Sequence, residues 1–228
     1  MSRISSFFTG LSACFAVSLG VCVLLPQAQL GSLSPDFKEE EGKISDVYPS
    51  PSGGIAAAGR EVYISQGCQT CHSQVVRGAE TTDMERGWGV RRTVARDYLF
   101  ENPPVLGSRR IGPDLANVGS SGWRNEPLDD QVRPPKRDAA WHYLHLYRPT
   151  AIVKASNMPS YKSLFELRKV TGAPSLDALS FPVEMAPSVG FEVVPKAEAK
   201  SLVAYLLSLD RSHSLKEAGA MAVAAKKN

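Results

Sequence analysis

The sequence predicts a mostly α-helical domain with extended loops, tethered behind an N-terminal transmembrane helix. Three observations predict it. Ile4 to Leu25 are 22 consecutive positions without a formal charge. Apolar residues recur at three- and four-residue spacing in stretches that begin near Ile55, Asp138 and Pro195, the period of a buried helix face. Between these stretches the chain is rich in Pro and Gly, and strand patterns are few and short. A length of 228 residues allows one sizeable domain plus extras. The net charge of +3 is mild and argues neither for nucleic acid nor for a strongly acidic partner.

Taken in order, residues 1–30 form the first element. As a helix, Ile4 to Leu25 would span roughly 33 Å, enough for a hydrocarbon core of about 30 Å. A cleavable signal peptide competes with an uncleaved anchor. Its best cut would follow Ala28, which leaves Pro26 where a small residue is wanted. Lipidation of Cys14 is a weaker option, because Phe15-Ala16-Val17 is too apolar to begin a mature lipoprotein. Arg3 agrees with a cytoplasmic N-terminus, although Lys38 and Lys43 on the far side blunt that signal. Residues 31–54 read as a flexible linker, with Pro35, Pro49, Pro51 and the acidic run Glu39-Glu40-Glu41.

The soluble domain is expected over residues 55–210. Ile55, Gly59, Val62, Tyr63 and Gln66 share one helix face, and Gly67 ends that turn. Asp138 is a good N-cap for a helix through Trp141, Leu144 and Leu146 that stops before Pro149. A short helix is expected after Pro159, with Leu164, Phe165 and Leu167. The clearest helix carries Glu198 in its first turn, then Leu202, Leu206 and Leu209. Residues 211–228 read as a frayed tail.

Cys68-Gln69-Thr70-Cys71-His72 lies just after the first of the domain's helices. Two cysteines three apart and an adjacent histidine are what covalent c-type haem attachment requires. On a helical turn both sulfurs reach one porphyrin edge, and the next residue can ligate the iron. Other readings fare worse. A thioredoxin-like redox pair needs a βαβ context that is missing. A zinc site would have to recruit two more ligands, such as His142 and His145. A disulfide between cysteines this close on a helix has the wrong geometry. One motif implies one covalently bound haem c. A loop-rich domain suits a haem-centred core, because loops can pack on the porphyrin.

The second axial ligand decides whether such a haem transfers electrons or binds a small molecule. The candidates are Met84, Met158, Met185, Met221, His142, His145 and His213. Met158 leads, because Pro159 stiffens its loop. Met185, with Pro187 nearby, is the rival. In Ile111-Gly112-Pro113-Asp114-Leu115 the carbonyl of Pro113 is placed to fix the second ring nitrogen of His72. Arg109 and Arg110 adjoin this loop and are candidates to pair with haem propionates or partner carboxylates.

The order of haem motif, Gly-Pro-Asp-Leu, Met-Pro and a final amphipathic helix resembles class I cytochromes c. More specifically, Tyr63 to Arg77, Gly107 to Gly119, Trp141-His142 with His145 to Pro149, and Ser156 to Tyr161 resemble the monohaem subunit (CcoO or FixO) of cbb3-type cytochrome c oxidase. The stretch Asn125 to Arg137 looks like an insertion.

The resemblance implies an electron-transfer subunit of a haem–copper terminal oxidase, with Cys68 and Cys71 as covalent anchors and His72 and Met158 as axial ligands. It would take electrons from a cytochrome c donor or a dihaem cytochrome c subunit. It would pass them to the catalytic subunit that reduces O2 to water, with no catalytic site of its own. It further implies a bacterial cytoplasmic membrane, a single pass and a haem domain on the periplasmic side. A free-standing membrane-anchored cytochrome c shuttle is the alternative. A haem enzyme or sensor would need an open sixth position.

Overall fold

The computed structural model describes residues 3–40, 43–78, 80–120, 123 and 137–219. The chain divides into two compact units. One runs to Ser50 and includes Ala95–Leu99, and the other holds Pro51–Val94 and the chain from Phe100 onward.

In the first unit, α1 (Arg3–Leu19), a π turn (Gly20–Leu24) and α2 (Leu25–Leu30) form one continuous helix, Arg3–Leu30. Its most apolar window has a mean hydropathy of 2.2 with no residue buried, so by length and composition it can cross a membrane. The π turn has a local cause. Pro26 has no N–H, and its ring crowds the carbonyl of Cys22, one turn back. In the widened turn Leu25 N–H donates to Gly20 O, five residues back, which makes room for the proline.

The segment read as a flexible linker contains an antiparallel hairpin, β1 (Asp36–Glu40) with β2 (Lys43–Tyr48). Asp36 pairs with Tyr48, and the register shifts between Lys38 and Glu39. Its prolines and acidic run hide the strands from composition, because cross-strand hydrogen bonds have no compositional signature. Tyr48 Oη donates to Asp97 Oδ1 at 2.6 Å, within the 3-10 turn Ala95–Tyr98 of the same unit.

The second unit is built on α3 (Gly54–Ser65) packed against α5 (Ala197–Ser208). Gly59 and Tyr63 are the buried positions of α3, and Ile55 of the expected face is exposed. A Cβ on Gly59 would lie 1.8 Å from the Ser201 carbonyl oxygen, so only glycine allows this approach. One turn on, Tyr63 and Tyr205 meet edge to face, 5.5 Å between centroids. Both helices contribute to a core that includes Trp88, Leu115, Leu146, Leu202 and Leu206.

α4 (Ala139–Tyr147) starts where expected: the Asp138 side chain accepts from Trp141 N at 2.9 Å. The short helix expected after Pro159 is a correction. Lys162–Leu164 is one 3-10 turn, and Phe165–Lys169 is strand β3, paired antiparallel with β4 (Phe191–Pro195). Three apolar residues in four positions fit either period, and pairing with Val193 and Val194 decides the outcome.

The region read as a frayed tail is anchored as far as Gly219. Arg211 is buried, its N–H donates to Asn117 Oδ1 at 2.7 Å, and its guanidinium pairs with Glu101. Leu215 and Ala218 are buried as well. Most of the Asn125–Arg137 insertion, and Met221, lie outside the described residues.

Candidate functional site: a cavity between the Cys-x-x-Cys-His turn and the Met158 loop

Cys68 opens a tight 3-10 turn, Cys68–Thr70, in which Cys71 N and His72 N both donate to Cys68 O at 3.2 and 3.0 Å. The segment from Leu106 to Leu115 straps this turn down. Ser108 N reaches Gln69 O, Gly112 N reaches Cys71 O and Leu115 N reaches Ser73 O, at 3.0, 2.9 and 2.8 Å.

His72 is oriented by that strap. Its Nδ1 lies 2.8 Å from the Pro113 carbonyl oxygen. A carbonyl only accepts, so Nδ1 carries the proton and Nε2 keeps its lone pair, the arrangement a metal-ligating imidazole needs. Burial holds the His72 pKa below its ordinary value, against the opposing effect of the Pro113 bond and the Asp114 carboxylate. Neutral imidazole is the ligating form. The ring has almost no freedom, because a Cβ on Gly112 would lie 2.3 Å from His72 Cε1.

A buried acidic network backs this wall. Asp114 accepts from Ser73 Oγ at 2.6 Å, Val75 N at 2.8 Å and Ala116 N at 2.9 Å. Arg110 donates to Ser73 Oγ at 2.8 Å and to both Asp83 oxygens at 2.7 Å. Burial pushes the Asp83 carboxyl up, but hydrogen bonds from Arg77 and Arg110 overcome this and hold its pKa at about 2. Arg110 is thus committed to Asp83 and Ser73, and Arg109 is exposed. Neither lines the cavity described next, which corrects their expected role toward a cofactor.

A cavity of about 320 Å³ opens beside the motif, within the range of small-molecule sites. Cys68, Cys71, His72, Pro113 and Met158, the five residues singled out in the sequence, all line it. Leu115, Val118, Leu146, Leu202 and Leu206 make it apolar. Met158 is half-buried, its N–H donates to Ser156 Oγ at 3.2 Å, and Tyr161 N ties the loop to Leu146 O at 2.9 Å.

The rival methionines lie elsewhere. Met185 sits in a 3-10 turn outside the lining, and Met84 is buried with Val76 and Ala116. His142 and His145 do line the cavity, and His213 does not. Tyr161, at the end of the Ser156 to Tyr161 segment, and Trp123, which no sequence pattern singled out, also line it. The place of Trp123 in the wall depends on contacts that no local pattern reports.

The Cys68 thiol is not poised as a thiolate. Burial pushes Cys68 up to about 11, which disfavours redox exchange or thiolate ligation at neutral pH. Among the described residues no three His, Cys, Asp or Glu side chains form a metal-binding group.

One family model matches residues 11–178: cytochrome c oxidase, mono-haem subunit/FixO. The chain belongs to the FixO family. The match covers most of the chain and includes all five site residues. No curated protein matches the chain. The FixO chain is therefore a monohaem subunit of a cytochrome c oxidase. The cavity's donor set fits such a group: an imidazole with a free lone pair, a thioether on a separate segment, two thiols three residues apart and an apolar lining.

Proposed function

We propose that this FixO chain is the electron-relay subunit of a cbb3-type haem–copper terminal oxidase, holding one covalent haem c in the cavity. The observation that supports it best is the convergence of Cys68, Cys71, His72 and Met158 on one apolar cavity. The close packing of α3 on α5 supports a class I cytochrome c fold for the domain.

A bound haem supplies reversible one-electron chemistry. Cys68 and Cys71 would hold it by thioethers, and His72 would ligate the iron through Nε2. The Pro113 carbonyl keeps the His72 proton on Nδ1 and fixes the ring plane. Met158 would take the sixth position. A neutral thioether there favours the ferrous state and leaves no open site for oxygen, which suits a relay with no catalysis of its own. The leucine-rich lining would keep water away from a bound haem, which would limit reorganisation during transfer.

Electrons would come from a dihaem cytochrome c subunit or a soluble cytochrome c and leave for the catalytic subunit. The apolar helix Arg3–Leu30 supports a single pass through a bacterial cytoplasmic membrane, with the haem domain periplasmic, where haem c is attached. Tethering would raise the domain's effective concentration beside its partner.

The test is purification of the tagged full-length chain from its membranes in mild detergent. Haem that survives a denaturing gel, together with co-purifying haem b, copper and oxygen uptake, is the expected result. A lone haem c protein would support the shuttle instead, and a chain without covalent haem would overturn both.

A further inference from the structure

The connection between β3 and β4, Val170 to Gly190, carries two sets of apolar side chains. Leu179 and Phe181 pack against the core. Leu176, Val183 and Val189 stand in solvent, each at least 91% exposed. No large apolar side chain of the membrane-crossing helix exceeds 70%, so among the described residues these three are the barest. Leu167 and Phe191 on the adjoining strands are exposed as well.

The connection is braced, so this exposure is not that of a loose loop. Ser175 N and Ser175 Oγ donate to the Glu192 carboxylate at 2.7 and 3.0 Å. Leu179 N donates to Val193 O at 2.9 Å, and the Phe181 ring meets Tyr147 edge to face at 5.4 Å. Arg168 pairs with Glu192, and Lys200 with Asp177. Pro174, Pro182 and Pro187 restrict the backbone further. The core-facing set and the polar groups are thus held, and the three aliphatics are presented outward. Bare apolar side chains presented in this way mark a contact surface.

The chemistry of the segment selects the occupant. Val170 to Gly190 contains no Lys, Arg, Trp or Tyr, and its charges, Asp177 and Glu184, are both acidic. A segment that lies on lipid carries basic and aromatic residues, and anionic headgroups repel carboxylates. A two-fold contact between copies centred on Val183 would bring two Glu184 carboxylates together. An aliphatic contact suits a permanent protein partner better than a transient redox encounter. The chain belongs to a family of oxidase subunits. The electron donor is a dihaem subunit or a soluble cytochrome c, but the acceptor is the haem–copper subunit in either case.

We propose that Leu176, Val183 and Val189 dock this chain permanently on the haem–copper subunit, against an apolar surface with a cation opposite Glu184. This rests on the oxidase reading above and adds the face that makes the contact. Apolar burial holds the two subunits together, and the Glu184 pair sets the register.

The test uses the tagged full-length chain in its own membranes. A combined Leu176→Ser, Val183→Ser and Val189→Ser variant should keep its covalent haem c, because none of the three packs in the core. It should lose co-purifying haem b and copper at least tenfold. Glu184→Lys should lower them severalfold. Ile55→Ser, an equally simple change of an exposed apolar residue on α3, should leave them at the wild-type level. A benzophenone side chain placed at position 183 should cross-link to the haem–copper subunit, identified by mass. Wild-type yields from the triple variant would overturn the proposal, as would an equal loss with Ile55→Ser. Cross-links to lipid, to a second copy or to the dihaem subunit would overturn it too. A wild-type chain that brings down haem c but no haem b or copper would instead overturn the oxidase reading.

Discussion

His72 and Met158 face one cavity from walls built in different ways. The His72 wall is cross-linked by backbone bonds from the Leu106–Leu115 strap and by the Ser73–Asp114–Arg110–Asp83 network behind it. The Met158 wall is a short loop held at Ser156 Oγ and Leu146 O, beside an α4 face that leaves Trp141 Nε1 and His142 Nε2 unpartnered. The chain supplies nearly every partner the first wall needs. The second leaves polar groups for an occupant to satisfy. Changes in the first wall should therefore damage the fold, and changes in the second should act mainly on what the cavity holds.

The largest effect should follow Asp114→Ala. It strips the acceptor from Ser73 Oγ, Val75 N and Ala116 N at once, at a site with no solvent exposure. A loss of about 3–5 kcal/mol is expected in urea unfolding of the haem-free chain, with an unchanged m-value. A loss under 1 kcal/mol would mean that this wall is not self-supporting.

Gly112→Ala comes next. Its Cβ would meet the His72 ring, and overpacking of this kind costs up to about 3 kcal/mol. The ring would have to turn away from Pro113 O. The expected signature is a changed His72 tautomer balance, read from the imidazole ¹⁵N shifts of the haem-free chain.

Asp83 gives a pH test of the same wall. Its pKa is about 2, below the ordinary 3.8. A depressed carboxyl contributes stability that is present above pH 3.8 and lost as pH falls through about 2. The amount is about 2 kcal/mol by linkage. Burial raises the Asp114 pKa, which acts in the opposite sense. The difference between wild type and Asp83→Asn isolates the first term: the stability gap should close between pH 4 and pH 2. A gap that stays constant would remove Asp83 as the anchor of this wall.

The contrast between the walls also marks what was legible in the sequence. Cys68, Cys71, His72 and Pro113 are local signatures, each with a chemical task tied to spacing, so they could be read directly. The helix capped by Asp138 and the strongly periodic helix after Pro195 were legible for the same reason. β3 and β4 were not, because Phe165–Lys169 pairs with a strand more than twenty residues away and its apolar pattern suits both periods. The hairpin at 36–48 was hidden by its charges and by the prolines that flank it, Pro35, Pro49 and Pro51. Arg110 was misassigned because its partner Asp83 is 27 residues upstream, and no local pattern reports a buried ion pair.

Met158→Ala should have the smallest effect on stability and the clearest on chemistry. The side chain is half-buried in a loop with few hydrogen bonds, so the haem-free chain should lose only about 1 kcal/mol, below the range for a fully buried methionine. In the haem-loaded chain the sulfur-to-iron band of the ferric spectrum should vanish, and carbon monoxide should bind the reduced form. Met185→Ala should leave both unchanged, because Met185 lies outside the cavity lining. If the band survives Met158→Ala and is lost with Met185→Ala, the loop carrying Met158 is only packing. The contrast between a self-supported wall and an occupant-dependent wall would then have to be redrawn around the segment that carries Met185.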